Sequence, residues 1–186
     1  MTKLTAYRIS LVLSGFIIVM LSVILYLSCR RYSALEERMA NQNVMRWQGL
    51  YFMTETIDNN VKTLEDANKF ALYQNQTVNW LADILYPRCI KSGDELGNFL
   101  KLAYDPFVQD IAYGNLPEEK RQEALKLYLE INGELGKLCE NVLNCAGNDA
   151  SEQAELLDDN SEASEKIIEE IQILTQKYKE KIQSFN

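Results

Sequence analysis

Histidine is missing from all 186 residues of the chain. That absence excludes the Ser-His and Cys-His nucleophile pairs, the His-Glu-x-x-His zinc site and any imidazole-based pH switch. Glycine and proline are scarce, at eight and three residues, and Leu, Glu, Lys and Gln stand in their place, as in an α-rich chain. No Gly-x-Ser-x-Gly, Gly-x-Gly-x-x-Gly or Gly-x-x-x-x-Gly-Lys-Ser/Thr segment occurs, so nucleophile elbows and phosphate-cradling loops are missing as well. The four cysteines include no Cys-x-x-Cys pair, which removes the spacing of zinc and thioredoxin-like sites. Positive charge is also in short supply. The first 29 residues carry only Lys3 and Arg8, and from Arg30 onward 17 basic residues face 27 acidic ones. Such a surface lacks the clustered Lys/Arg that displaces counterions from nucleic acid. The sequence therefore implies no enzyme, no cofactor or metal, and no nucleic-acid partner.

What is present is one long apolar run. Ile9 to Cys29 contains 21 residues and no charge. As a helix it spans about 31 Å, close to the ~30 Å hydrocarbon core of a bilayer. Tyr7 and Tyr26 stand near its ends, where amphipathic rings suit the interface, and Arg8 and Arg30-Arg31 bound it. A cleaved secretory signal has a shorter apolar region and a small-x-small cleavage site, which this run lacks. Acylation at Cys29 fits poorly with Tyr26-Leu27-Ser28 before it and arginines after it. Ser10, Ser14 and Ser22 lie roughly on one face, as small residues do where membrane helices pack. The organisation expected is a basic tail (1–8), a transmembrane helix (9–29) and an acidic helical domain (30–186). Lys3 and Arg8 flank one side, and Arg30, Arg31 and Arg38 the other. A plain count of basic residues favours a cytoplasmic C-terminal side, whereas a short basic tail before the apolar run reads as an uncleaved signal anchor that exports the domain behind it. The second reading is preferred, with the lipid bilayer as first partner.

Beyond the membrane segment the periodicity is helical throughout. Leu50, Ile57, Leu64 and Ala71 recur every seven residues, with Val61 and Ala67 on the same side, which predicts a helix to about Tyr73. Val78, Trp80, Leu81, Ile84 and Leu85 resume the pattern until Pro87. Ser92-Gly-Asp-Glu95 has capping-box spacing and opens a helix bearing Leu96, Phe99, Leu100, Ala103, Phe107 and Ile111, which Pro106 should kink or divide. Pro117-Glu118-Glu119 opens the next, with Leu125, Tyr128, Ile131, Leu135, Leu138, Val142 and Cys145 inward and Gly147 after its end. Asp149 to Asn160 reads as a polar connection. A last helix starts near Ser161 or Ser164 and carries Ile167, Ile171, Leu174, Tyr178, Ile182 and Phe185. Amphipathic helices must bury their stripes on one another, so the fold predicted is all-α, an antiparallel bundle of four or five helices after the membrane helix.

Cys139 and Cys145 are six residues apart, about 9 Å along a helix axis and beyond disulfide reach. A staple from Cys89 to either one stands against three unpaired thiols, two of them core fillers; the second alternative is the simpler. Nine carboxylates crowd Asp149 to Glu170 against Lys166 alone: Asp149, Glu152, Glu155, Asp158, Asp159, Glu162, Glu165, Glu169 and Glu170. Asp158, Asn160, Glu162 and Glu169 match four calcium-loop positions, but Ala163 sits where the loop demands glycine. The acidic stretch reads as a solvated face and a candidate docking surface for a basic partner. Trp47, Tyr51 and Phe52, and Tyr104, Phe107 and Tyr113, read as core aromatics. Glu36-Glu37, Glu118-Glu119 and Glu169-Glu170 are sequence neighbours that diverge by about 100° on a helix and form no acid/base pair. Asn75-Gln76-Thr77 is a glycosylation sequon.

The run from Phe99-Leu100 through Leu116-Pro117-Glu118-Glu119 to Leu127-Tyr128, Ile131 and Glu134-Leu135 resembles the helical N-terminal region of bacterial spore-germination membrane proteins that accompany a cortex-lytic hydrolase. Those proteins also place one membrane helix before their helices, and the resemblance implies a bacterial cell-envelope setting. The sequence thus predicts a single-pass, membrane-anchored, non-enzymatic interaction or assembly module. Its expected partner is another envelope protein or a second copy of itself. The alternative is a ligand-sensing helical ectodomain of a receptor-like protein.

Overall fold

The computed structural model describes residues 3–70, 91–147 and 149–183, with the side chains of 3–11, 104–109 and 111–113 outside that description. Among the described residues the chain is all-helical, with no strand. The helices are α1 (Lys3–Asn60), α2 (64–70), α3 (Lys91–Tyr113), α4 (Glu118–Ala146), α5 (Ala150–Glu155) and α6 (Glu162–Gln183). The chain divides into two compact units, Met1–Met39 and Ala40–Asn186, and the division falls inside α1.

The first unit is a helix with no buried side chain among its described residues. Every one of them from 12 to 39 is exposed, Leu13, Phe16, Ile18, Leu21 and Leu25 included. The helix is long and apolar enough to cross a membrane. Apolar side chains left bare in this number are unfavourable in water, at roughly 25 cal/mol per Å², whereas a bilayer solvates them.

The second unit has one hydrophobic core, built from the stripes the periodicity marks. Residues 40–60 of α1 bury Val44, Trp47, Leu50 and Ile57. α3 buries Leu96, Phe99, Leu100 and Ala103, α4 buries Leu125 to Val142 at helical spacing, and α6 buries Ile167, Ile171, Tyr178 and Ile182. α6 packs on both α3 and α4. The polar pairs between α4 and α6 join Glu130 to Lys181 and Asn141 to Glu170, so these two helices run in opposite directions.

Three expectations are corrected and one is narrowed. The first helix stops at Asn60 rather than near Tyr73. Thr63 and Asp66 form a reciprocal cap: the Asp66 amide donates to the Thr63 hydroxyl at 3.2 Å, and the Thr63 amide to the Asp66 carboxylate at 3.1 Å. Such a cap stabilises a new helix start by ~1 kcal/mol, enough to end one helix and begin another while Val61 stays in the core. Of the two outcomes expected at Pro106, a kink or a division, the second does not occur: α3 is one helix from Lys91 to Tyr113. Its cap also differs. Glu95 accepts from the Gln172 amide at 3.1 Å instead of reaching back, and the Lys91 amide donates to Asp159 at 2.7 Å. Finally, the connection after α4 contains the six-residue α5, started by Asp149, whose carboxylate accepts from the Ser151 amide. Leu156 then pins the connection into the core.

Other expectations agree in detail. Pro117 precedes α4 and its carbonyl accepts from Lys120 and Arg121. Ser161 caps α6 by accepting from the Ser164 amide at 3.0 Å. Gly147 takes φ 54°, a left-handed backbone conformation that favours glycine at the end of α4. Ala71, the segment from Val78 to Pro87, the sequon at Asn75, Cys89 and Phe185 lie outside the described residues.

Candidate functional site

The acidic stretch falls on α5, the following turn and α6. Eight of its nine carboxylate residues are exposed, and Asp159 is half-buried. They do not act alike. Asp149, Asp158 and Asp159 are held by local backbone: Asp149 caps α5, Asp158 accepts from the Asn160 amide at 3.0 Å, and Asp159 receives the Lys91 amide at the start of α3. Capping uses their negative charge against the positive helix start. Glu162 pairs with Lys166 at 2.7 Å on the open surface. That hydrogen bond holds the Glu162 carboxyl below its ordinary value. Glu155 contributes its carbonyl, which accepts from the hydroxyls of Ser161 and Ser164. Glu165 and Glu169 lie on the solvent side of α6. Glu170 accepts from Asn141 at 3.4 Å.

Glu170 also lines a shallow groove between α4 and α6. Glu134, Lys137, Leu138, Asn141, Ile173 and Leu174 form the rest of it, and it holds about 230 Å³. That is below the ~300–1,000 Å³ of small-molecule sites. Ile173, at 58% exposure, stands out beside the buried Leu138 and Leu174 as the exposed apolar side chain of this groove. The groove suits a protruding side chain better than an enclosed ligand. A second open groove, about 380 Å³, lies between Lys62 and the Gln122–Leu129 face of α4.

Next to the first groove the α4–α6 seam is charged and ordered. Glu130 accepts from the Tyr178 hydroxyl at 3.0 Å and from Lys181 at 3.2 Å, and Lys177 reaches Glu134 at 3.7 Å. The ammonium groups of Lys177 and Lys181 stand 4.9 and 5.4 Å from the Tyr178 ring centroid, within cation–π range. Hydrogen bonds from Lys181 and Tyr178 pull the Glu130 carboxyl below its ordinary 4.5. A depressed folded value gives stability that is present above about pH 4.5 and lost as pH falls through the folded value. Acidification from pH 7 to 3.5 should therefore weaken the fold, and Glu130→Gln should reduce that pH dependence by about 0.5 kcal/mol, the scale of a half-exposed pair. Urea midpoints of both proteins at the two pH values check this; equal pH dependence would show that the seam contributes nothing.

A polar cluster that the periodicity did not reveal sits between α1 and α4. Asn132 is fully buried, and its amide donates to the Thr54 carbonyl at 3.0 Å and to Asp58 at 2.7 Å. Thr54 is also buried, and its hydroxyl donates to the Tyr51 carbonyl at 2.7 Å. A Cβ on Gly136 would stand 3.1 Å from the Thr54 hydroxyl, so glycine lets the helices approach closely. Burial and the Asp58 charge raise the Tyr128 phenol well above its ordinary value. The cluster locks register, and Asn132 and Thr54 are closed to solvent.

Cys139 is buried and unpaired, its thiol pushed up to about 12 by burial, which makes it a core filler. Cys145 is unpaired but exposed, not core, because the inward stripe runs from Val142 to Ala146, four residues on, and leaves Cys145 beside it. Trp47 is core, Tyr51 is half-buried, and Phe52 is exposed at 63%, since it falls off the stripe. Tyr104, Phe107 and Tyr113 lie outside the described side chains, as do those of Lys3 and Arg8, while Arg30 and Arg31 are exposed. Among the described residues no three His, Cys, Asp or Glu side chains converge to hold a metal ion. No family model, curated protein or solved structure matches the chain.

Proposed function

We propose that this chain is a single-pass membrane protein whose antiparallel helical bundle, held at the bilayer, serves as a non-enzymatic interaction module of a bacterial cell envelope. The observation that carries this is the contrast within one chain. Residues 12–39 expose an apolar helix with no described residue packed on it, whereas Ala40–Asn186 buries one contiguous hydrophobic core. The exposed carboxylates Glu162, Glu165, Glu169 and Glu170 offer a surface to a basic partner, and Ile173 in its groove adds one apolar anchor, a pattern of polar rim around a small apolar centre. The resemblance of the α3–α4 segment to spore-germination membrane proteins supports the envelope setting.

The domain belongs outside the cytoplasm, with Lys3 and Arg8 retained inside. Protease added to intact spheroplasts should digest the domain without permeabilisation. Protection until the membrane is opened would place it in the cytoplasm. A chain released from membranes by carbonate would remove the anchor altogether.

A further inference from the structure

We propose that α1 pairs with α1 of a second copy of this chain, in parallel, through a heptad seam that leaves the membrane and ends at Met39. The parallel orientation rests on the membrane-anchor reading above. Leu21, Leu25, Ser28, Tyr32, Leu35 and Met39 alternate at spacings of four and three, which places them at the a and d positions of a left-handed coiled coil. The inner half of this row lies in lipid. The outer half does not: at ~1.5 Å per residue, Leu35 and Met39 stand about 9 and 15 Å past Cys29. Yet Tyr32, Leu35 and Met39 are exposed at 70, 55 and 40%, and no described residue covers them.

The charges beside the seam name the occupant. With Tyr32 at a and Leu35 at d, Arg31 takes position g and Glu36 takes position e. In a parallel pair, g of one helix faces e of the following heptad of its partner, five residues on. Arg31 therefore meets Glu36 of the other copy, twice per dimer, with opposite charge. An antiparallel pair would instead set Glu36 against Glu36. Ser33, Ala34 and Glu37 fall on the outer positions. A seam this short is weak between free helices, but two copies anchored in one bilayer have already lost most of the freedom that association costs.

The test uses the full-length chain in its own membranes, with Cys29, Cys89 and Cys145 changed to Ser and single cysteines placed one at a time at positions 32 to 39. Oxidation should give disulfide-linked dimers with maxima at 32, 35 and 39 and minima at 33, 34 and 37. In the Leu35→Cys chain, Glu36→Arg should lower the linked fraction roughly fivefold, since it breaks two exposed pairs, and adding Arg31→Glu should restore it. A flat profile, maxima at 33 and 37, or a linked fraction indifferent to Glu36→Arg would overturn the parallel seam. A chain that stays in membranes with a flat profile fails the seam alone; a chain found soluble fails the anchor and the seam together.

Discussion

Asn132→Asp will destabilise the helical domain by about 3–5 kcal/mol at neutral pH, the cost of burying a negative charge against Asp58 and the Thr54 carbonyl. The side chain is fully buried, and the Thr54 carbonyl and the Asp58 carboxylate that accept from it require a donor. The substitution keeps the shape and replaces that donor with a second negative charge facing Asp58. Against a total stability of roughly 5–15 kcal/mol, this removes a large part of the fold. The pH dependence identifies the cause. Burial and the neighbouring charge raise the folded-state value of the new carboxyl above its unfolded ~3.9. The penalty is then absent below about pH 4 and grows as pH rises towards the folded value. Asn132→Leu carries no such charge and should cost only about 1–2 kcal/mol, with no added pH dependence. Urea titrations of the full chain in detergent, followed by fluorescence of the buried Trp47 in a Trp80→Phe background, measure both. Equal losses for the two variants would show that packing, not charge, sets the demand at this position.

The stripes of α3, α4 and α6 were legible because burial repeats every three or four residues, and every described stripe residue on these helices except Cys145 is buried. Features decided by a single hydrogen bond were not. Thr63-x-x-Asp66 carries capping-box chemistry with Asp in the Glu position, and the apolar repeat through Leu64 masked it. Asp159 is an ordinary acid in an acidic stretch until the fold brings the start of α3 to it, 68 residues away in sequence. Asn132 carried a usable signal: it lies three and four residues before Leu135 and Gly136, on the inward face, where a polar residue demands a partner on another helix. The acidic site was legible as composition only. Its split into capping and solvent-facing carboxylates depends on where α5 and α6 begin. The exposed apolar row past Cys29 was partly hidden by the long apolar run before it, which draws the eye to its own boundary at Arg30.

Leu135→Ala should cost about 2–5 kcal/mol and Phe99→Ala about 3–5 kcal/mol, because each leaves a cavity that a close-packed core fills only in part. Both residues have zero exposure and belong to one contiguous cluster, but they report on different contacts. Phe99 sits on α3, which packs on α6 and α4, whereas Leu135 sits on α4 next to Gly136, the residue that lets α4 come close to Thr54 of α1. Ile173→Ala, at an apolar residue of the same size left exposed beside the groove, should change stability by less than about 0.5 kcal/mol. That contrast separates burial from hydrophobicity as such. The shape of the transition decides a further point. If Ala40–Asn186 melts as one cooperative body, both core variants shift a single urea transition to lower midpoints without splitting it. A Phe99→Ala transition that moves while Trp47 fluorescence holds its wild-type midpoint would mean that α3 and α6 leave the core before α1 and α4. Binding at the Glu170–Ile173 groove, which α4 and α6 build together, would then be governed by that partial opening rather than by the stability of the whole domain.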